Sequence, residues 1–464
     1  MLPYCRRDIR IPDIEPQQKG TEMRTEIIFS FDTEDYTSQR NADAILALAN
    51  MFSEEDVPAH FAVVGLVAQQ LSDWGRTDVI EAMRPHLIGF HSYRHTMHPT
   101  MAEMCDREDC TEATAEMEKL EQKGLDLLHR VFDGKPVMFA VPPGMDVAYP
   151  ALYFYARSGI PFYFGGFIND RENTLIDYCG LTQIPYTCSL EEIFLSKNPP
   201  DLDALLDRLS RRRRIILFHH PNMSVKKIFW DKLNYEQRNK REFGDWSDAP
   251  DRTLGETVAF WSRFRGLIRR LKQDPRFVIT DAHQVLAERK SRLAGPILPS
   301  ALPALADELQ AGLAPLKSAA YSVSDVFCAA AAFLQGKDSY TPGAAAKGFL
   351  REPHGIERET VVSAASVRAE ARKIALDDYI PEDFIVDGCR IGAGDMLFAM
   401  AAALKDGSEK ITLTPRRQTV DISELDELTV LDLKGKWLFS PALEDKYLSD
   451  RLRLQAWTWR KYGI

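Results

Sequence analysis

The sequence predicts an α/β fold in which parallel strands close, or nearly close, into a barrel. Two observations predict it. From about Thr25 to about Leu286, seven short apolar runs alternate with longer amphipathic stretches, the pattern of repeated βα units. Several of those runs also end in polar clusters, and the C-terminal strand ends are where α/β barrels and open α/β sheets carry their chemistry.

In chain order the runs are EIIFSFD, AHFAVVG, HLIGFHS, PVMFAVP, IPFYFGGF, RRIILFHH and RFVITDA. Each reads as a buried parallel strand. Between them, NADAILALANMFSEE, CTEATAEMEKLEQKGLDLLHRV and DLDALLDRLSRRR repeat apolar residues at three-to-four spacing, as helices covering a sheet do. Around RKSRLAGPILPSALP the composition turns alanine-rich and helical, which places a domain boundary near residue 295. The expected organisation is an N-terminal extension (1–23), a catalytic unit (24–290) and a C-terminal domain (296–464). Within the last, 321–336 aligns with 391–406, sharing Asp325/Asp395 and Leu334/Leu404; duplication and two similar alanine-rich helices are equally good readings.

The 464 residues, 45% hydrophobic and 27% charged, describe an ordinary globular chain with no run of about 20 apolar residues to span a bilayer. MLPYCRRDIRIPDIEPQQ lacks the apolar segment of a secretory signal, so a cytoplasmic location is expected. The seven scattered cysteines form no C-x-x-C pair and read as reduced thiols. A net charge of −10 opposes attraction to phosphate backbones, which argues against nucleic acid as a partner.

The polar clusters carry the chemistry. His91 and His95 in HSYRH are four apart, so on a helical turn both imidazoles face one metal ion. FDTED offers Asp32, Glu34 and Asp35 at the end of the first run. Two imidazoles and a carboxylate leave a metal with open positions for polarising a carbonyl or activating water, and a second carboxylate supplies a base. In LFHHPN, His219 and His220 point to opposite faces of an extended chain, so one of them enters the site as proton donor and the other is structural. Pro142 and Pro143 of PPGMD fix a rigid loop that shapes the pocket.

Other features have plainer readings beside functional ones. His98 is a further candidate ligand or a helix-end histidine, and His283 a pocket wall or a solvated loop residue. RRRR at 211–214 is a phosphate contact or a helix C-terminus. The polar stretch from about Lys226 to Arg252 is a cover for the substrate or a surface excursion. RLRLQAWTWRKYGI, with Trp457, Trp459 and Tyr462, stacks on a glycan or docks the terminus.

The succession of FDTED, HSYRH, FAVPPG and a strand ending in LFH resembles the polysaccharide deacetylase (NodB-homology, carbohydrate esterase) family over residues 24–287. The resemblance implies a distorted (β/α)7 barrel, a divalent metal (zinc first, then cobalt, manganese or nickel) and removal of N-acetyl groups from amino sugars or glycan precursors. By carry-over Asp32 is the base, His91 and His95 bind metal with Glu34 or Asp35, and His219 is the final histidine. This chain departs from the family pattern at three places. Thr33 follows Asp32, Ala140 stands where an arginine is usual, and His220 where an aspartate is; Asp146 or another residue is expected to orient the base in place of the arginine. The resemblance extends no further, leaving residues 296–464 as a smaller, mainly α-helical or α+β domain. Two other functions compete: an amidohydrolase for a small nitrogenous substrate, and a glycan-binding protein without turnover.

Overall fold

A computed structural model of the chain describes residues 24–464, except 145, 169–174, 197, 236–244, 310–311, 315, 318–319, 344–345, 406–408, 423–437 and 463–464. The expected extension 1–23, the middle of the 226–252 insertion and residue 406 of the second repeat lie outside the described residues.

The first unit is mixed α/β around a largely parallel sheet. Its strands are β1 (Thr25–Thr33), β2 (His60–Val63), β3 (Leu87–Phe90), β4 (Val137–Ala140), β5 (Phe162–Phe164), β6 (Ile176–Tyr178), β7 (Leu181–Ile184), β8 (Cys188–Ser189), β9 (Arg214–His219) and β10 (Phe277–Ile279). All seven apolar runs form strands, because helices cover them and both faces are shielded from water. The covering helices include Gln39–Glu54, Thr111–Val131 and Leu254–Gln273. The first buries Ala42, Ile45, Leu48, Ala49 and Phe52 at helical spacing.

β1 is the hub. It pairs with β9 along one edge; along the other, its first half pairs with β10 and its second half with β2. RFVITDA therefore shares an edge with β2 instead of taking a position of its own. Residues 181–189 carry no strand pattern, because Pro185 removes a ladder donor and splits the segment. Yet β7 pairs in parallel with β5, and β8 in parallel with β9.

The C-terminal region adds small antiparallel pairs, β11 (Thr360–Ser363) with β14 (Lys410–Leu413) and β12 (Asp383–Val386) with β13 (Cys389–Gly392). The two aligned stretches form the helices Val323–Leu334 and Ala393–Ala403. In each, the shared aspartate caps the helix start: Asp325 accepts from Ser322 N–H (2.7 Å) and Asp395 from Gly392 N–H (3.2 Å).

The C-terminal residues dock onto the main sheet. β15 (Arg460–Lys461) pairs antiparallel with β6, and Trp457, Trp459 and Tyr462 are buried. Arg460 donates two hydrogen bonds to Asp325 (2.7 and 2.9 Å), while Asp177 of β6 receives Arg289 (2.7 Å) and the Tyr462 hydroxyl (2.6 Å). No helix among the described residues is long and apolar enough to cross a membrane.

Candidate metal centre and active site

The site forms where β1, β3 and β9 end. Successive residues of an extended chain alternate sides, so Asp32 and Glu34 emerge together while Asp35 turns away. Glu34 Oε2 lies 3.0 Å from His91 Nε2 and 2.8 Å from His95 Nε2, and these three residues are the grouping among the described residues whose ligand atoms converge as a metal requires. All three are buried. Burial alone would raise the Glu34 pKa, but the His95 and His220 charges hold it well below the usual carboxylate range. Burial pushes His95 down, favouring the neutral ring.

Two details fit a metal. His91 Nδ1 sits 3.0 Å from the Val141 carbonyl, which can only accept, so a neutral ring keeps its proton on Nδ1 and leaves Nε2 for an ion. His95 Nε2 is buried close to Glu34 without the geometry of a hydrogen bond. One carboxylate and two imidazoles suit zinc and similar divalent ions.

HSYRH is not the helical turn expected from its spacing. His91 still hydrogen-bonds as a strand residue to Val63 O (3.1 Å), and Ser92 and His95 then take left-handed conformations (φ 62° and 55°) that fold the chain back. The loop is held from outside. Ser92 Oγ accepts from His95 N–H (2.9 Å), the Ser92 and Tyr93 carbonyls accept from Gly65 and Leu66, and Glu121 accepts from Tyr93 N–H (3.2 Å).

Asp32 stands beside this cluster. Tyr186 donates to its Oδ1 (2.5 Å) and His220 Nε2 lies 3.6 Å from its Oδ2. Burial raises the Asp32 pKa against the lowering influence of His91, His220 and Tyr186. A carboxylate made more basic in this way is suited to accepting a proton.

The histidine pair corrects the carry-over. His219, fully buried, stacks on Phe260 (ring centroids 4.8 Å), whereas His220 faces Asp32 and keeps some exposure. Both lean on Glu191: its Oε1 lies 2.8 Å from His219 Nδ1 and 3.1 Å from His220 Nδ1, and accepts from His220 N–H (2.7 Å). Burial alone would lower His220, but the charges of Glu191, Glu34 and Asp32 raise it to about 10. His220 therefore faces Asp32 as the more basic imidazole, and His219 packs away from it among aromatic rings.

Three further expectations change. Asp35 does not join the cluster: it accepts from Thr37 N–H (2.9 Å) and Oγ1 (2.6 Å) and from Asn222 (3.1 Å). Asp146 does not orient the base, because its two oxygens accept the Met101 and Ala102 amides (2.8 and 2.7 Å) at the start of a short helix; Tyr186 holds Asp32 instead. Pro142 and Pro143 are buried beside the His91-bound carbonyl of Val141, but the small cavity next to Asp32 is walled by Glu34, Asp35, Asn41, Pro221 and Asn222. Outside the site, His98 pairs with Glu103 (2.8 Å), His283 is exposed on a helix, and Arg213 and Arg214 both pair with Glu288.

Sequence reasoning missed Glu191, Tyr186 and Trp230, whose indole N–H donates to Glu34 Oε1 (3.1 Å). Glu191 looks like the acidic first turn of a helix, and Tyr186 follows a proline in a stretch without strand pattern. Trp230 lies in the insertion, where KKIFW offered an apolar cluster too short to interpret.

No family model and no curated protein matches the chain. Among solved structures it is similar to a putative polysaccharide deacetylase from Mycobacterium smegmatis (14% identity, TM-score 0.38, covering 60% of this chain and 95% of that one). A probable polysaccharide deacetylase from Pseudomonas aeruginosa PAO1 is similar at 12% identity and TM-score 0.36, covering 60% and 96%. A family 4 carbohydrate esterase pseudoenzyme from Bacillus anthracis is similar at 14% identity and TM-score 0.28, covering 45% and 59%. At these TM-scores the likeness decides neither reaction nor substrate.

Proposed function

We propose that the chain is a metal-dependent hydrolase of the polysaccharide deacetylase type, removing an N-acetyl group from an amino sugar or glycan precursor. The observation that carries this reading is Asp32, a buried carboxylate between the Glu34–His91–His95 cluster and a cationic His220. We also read the sheet as a distorted (β/α)7 barrel, in which the broken segment 181–189 spans from β5 to β9 and completes the ring. Residues 24–290 form the catalytic unit on this reading, with 296–464 clasped to it.

Glu34, His91 and His95 would hold a divalent ion, zinc by preference, which supplies carbonyl polarisation and an acidified water. Asp32 takes the proton of the attacking water, with Tyr186 fixing the carboxylate. His220, kept protonated by Glu191, gives its proton to the amine as the C–N bond breaks, so free acetate and an ammonium or amine product leave. Two histidines and a carboxylate also occur in iron oxygenases, so metal identity is a direct test.

The experiment is elemental analysis combined with acetate release from acetylated monosaccharides, nucleotide sugars and oligosaccharides. Zinc or cobalt at one ion per chain with acetate release is expected; iron with oxygen consumption overturns the reading. His91→Ala and His95→Ala should each lose the ion, while Asp32→Asn keeps it and loses turnover by roughly 10²- to 10⁴-fold.

A further inference from the structure

The two oxygens of Glu34 have different partners. Oε2 faces the imidazoles, 3.0 Å from His91 Nε2 and 2.8 Å from His95 Nε2, while Oε1 accepts the indole N–H of Trp230 (3.1 Å). An indole has one donor and no acceptor, so this contact has one possible direction. It is a hydrogen bond to a buried carboxylate, the stronger kind, and it opposes the rotation that would bring Oε1 round to the imidazoles.

Trp230 is placed to hold that direction. Its ring is fully buried and meets His95 (ring centroids 5.6 Å), Tyr36 (5.2 Å) and Trp246 (5.3 Å), contacts that fix its plane. Its backbone is tied as well. Asn234 Nδ2 donates to Trp230 O (2.8 Å) and to Ser247 O (3.1 Å), and Asn234 Oδ1 accepts from Ser247 N–H (2.9 Å).

We propose that Trp230 is a positioning residue for Glu34: by engaging Oε1 it leaves Oε2 alone to meet an ion held with His91 and His95. The same bond separates the task of Glu34 from that of Asp32, whose carboxylate is held by Tyr186 instead. This rests on the metal reading of Glu34, His91 and His95. Partners that orient a metal ligand in this way contribute about 10- to 100-fold in metal affinity.

The test uses the full-length protein with zinc or cobalt alone. Trp230→Phe keeps an aromatic ring and deletes the donor; affinity measured by competition with a chromogenic chelator should fall about 10- to 100-fold. In a Glu34→Ala background, where the indole has no carboxylate to hold, adding Trp230→Phe should cost less than about twofold, because both changes act through one bond. An equal loss in the two backgrounds marks packing instead of positioning and overturns the proposal, as does unchanged affinity in Trp230→Phe. The bond is also read in the metal-free protein, by nitrogen-15 NMR of the indole groups of its seven tryptophans. The Trp230 signal, the one missing from Trp230→Phe, should be the indole signal that Glu34→Ala moves most; a Trp230 signal left in place overturns the proposal whether or not the protein binds metal. If wild type takes up neither ion, the metal reading falls together with the proposal; if wild type binds and Trp230→Phe binds as tightly, the proposal alone falls.

Discussion

Replacing Glu191 by glutamine removes one buried negative charge while keeping the side-chain shape. Glu191 Oε1 lies 3.1 Å from His220 Nδ1. Two unit charges at about that distance, with an effective dielectric constant near 20, attract by about 5 kcal/mol, worth about 3–4 pH units at 1.36 kcal/mol each. The His220 value of about 10 is what remains after burial, which alone lowers it, and after smaller contributions from Glu34 and Asp32. The burial cost persists in the variant, so its imidazole should titrate at or below the ordinary histidine value of about 6.5. Diethyl pyrocarbonate acylates neutral imidazole and spares imidazolium, and His220 is the less buried member of the pair. Brief exposure at about pH 7.5 with peptide mapping should therefore label His220 in Glu191→Gln at least tenfold faster than in wild type. In a turnover assay, the alkaline limb of kcat/KM should move down by about 2 pH units or more. Equal labelling at constant fold would refute the assignment of Glu191 as the group that keeps His220 charged.

Tyr186→Phe deletes the hydroxyl bond to Asp32; metal content should hold while kcat/KM falls roughly 10- to 100-fold, the value of a hydrogen bond to a charged group, and the acid limb moves up in pH. Arg460→Met leaves Asp325 buried without its bidentate partner and should cost about 3–5 kcal/mol in denaturant unfolding, largely recovered by adding Asp325→Asn; a loss below about 1 kcal/mol would contradict the clasp. Glu121, raised by burial from 4.5 to about 7, binds its proton more tightly in the folded chain. Its contribution is therefore complete below about pH 4.5 and lost as pH rises toward 7, roughly 3 kcal/mol in all; Glu121→Gln should flatten that part of the stability profile.

The parts legible in the sequence were those with local periodicity. Continuous apolar runs marked β1 to β5, β9 and β10; FDTED, HSYRH, VPPGMD and LFHHPN follow the strand ends expected of them, whereas ITDAH follows β10, which pairs with residues 25–27 of β1 and stops short of that edge. What escaped depends on separation or on broken pattern. Residues 181–189 carry two short strands around Pro185, too brief for a two-residue period to register. Asp177 and Tyr462 meet across 285 positions, and nothing near either one announces the other. The HSYRH loop failed as a helix because spacing alone does not distinguish a helical turn from a bend built on two left-handed residues. Ser92 and His95 adopt those backbone angles at a steric cost that the surrounding hydrogen bonds offset.

The His219–His220 ambiguity has a different origin, and strand register resolves it. In the β1–β9 ladder Phe31 stands opposite His219, and residues paired in a parallel ladder show their side chains on the same face. Phe31 and Phe29 pack outward on Phe264, with the helix Leu254–Gln273, and His219 joins them there against Phe260. The opposite face carries Ile28, Ser30 and Asp32 from β1, and Ile216 and Phe218 from β9. The next residue of that parity is His220. Pleat alone says that only one histidine enters the site; it takes the register to say which, and register is set by neighbouring strands and not by the HHPN motif. A one-residue slip of β9 would exchange the two imidazoles. Glu191, anchored beyond β8 and hydrogen-bonded to the His220 backbone, holds the strand end against such a slip as well as raising the His220 pKa.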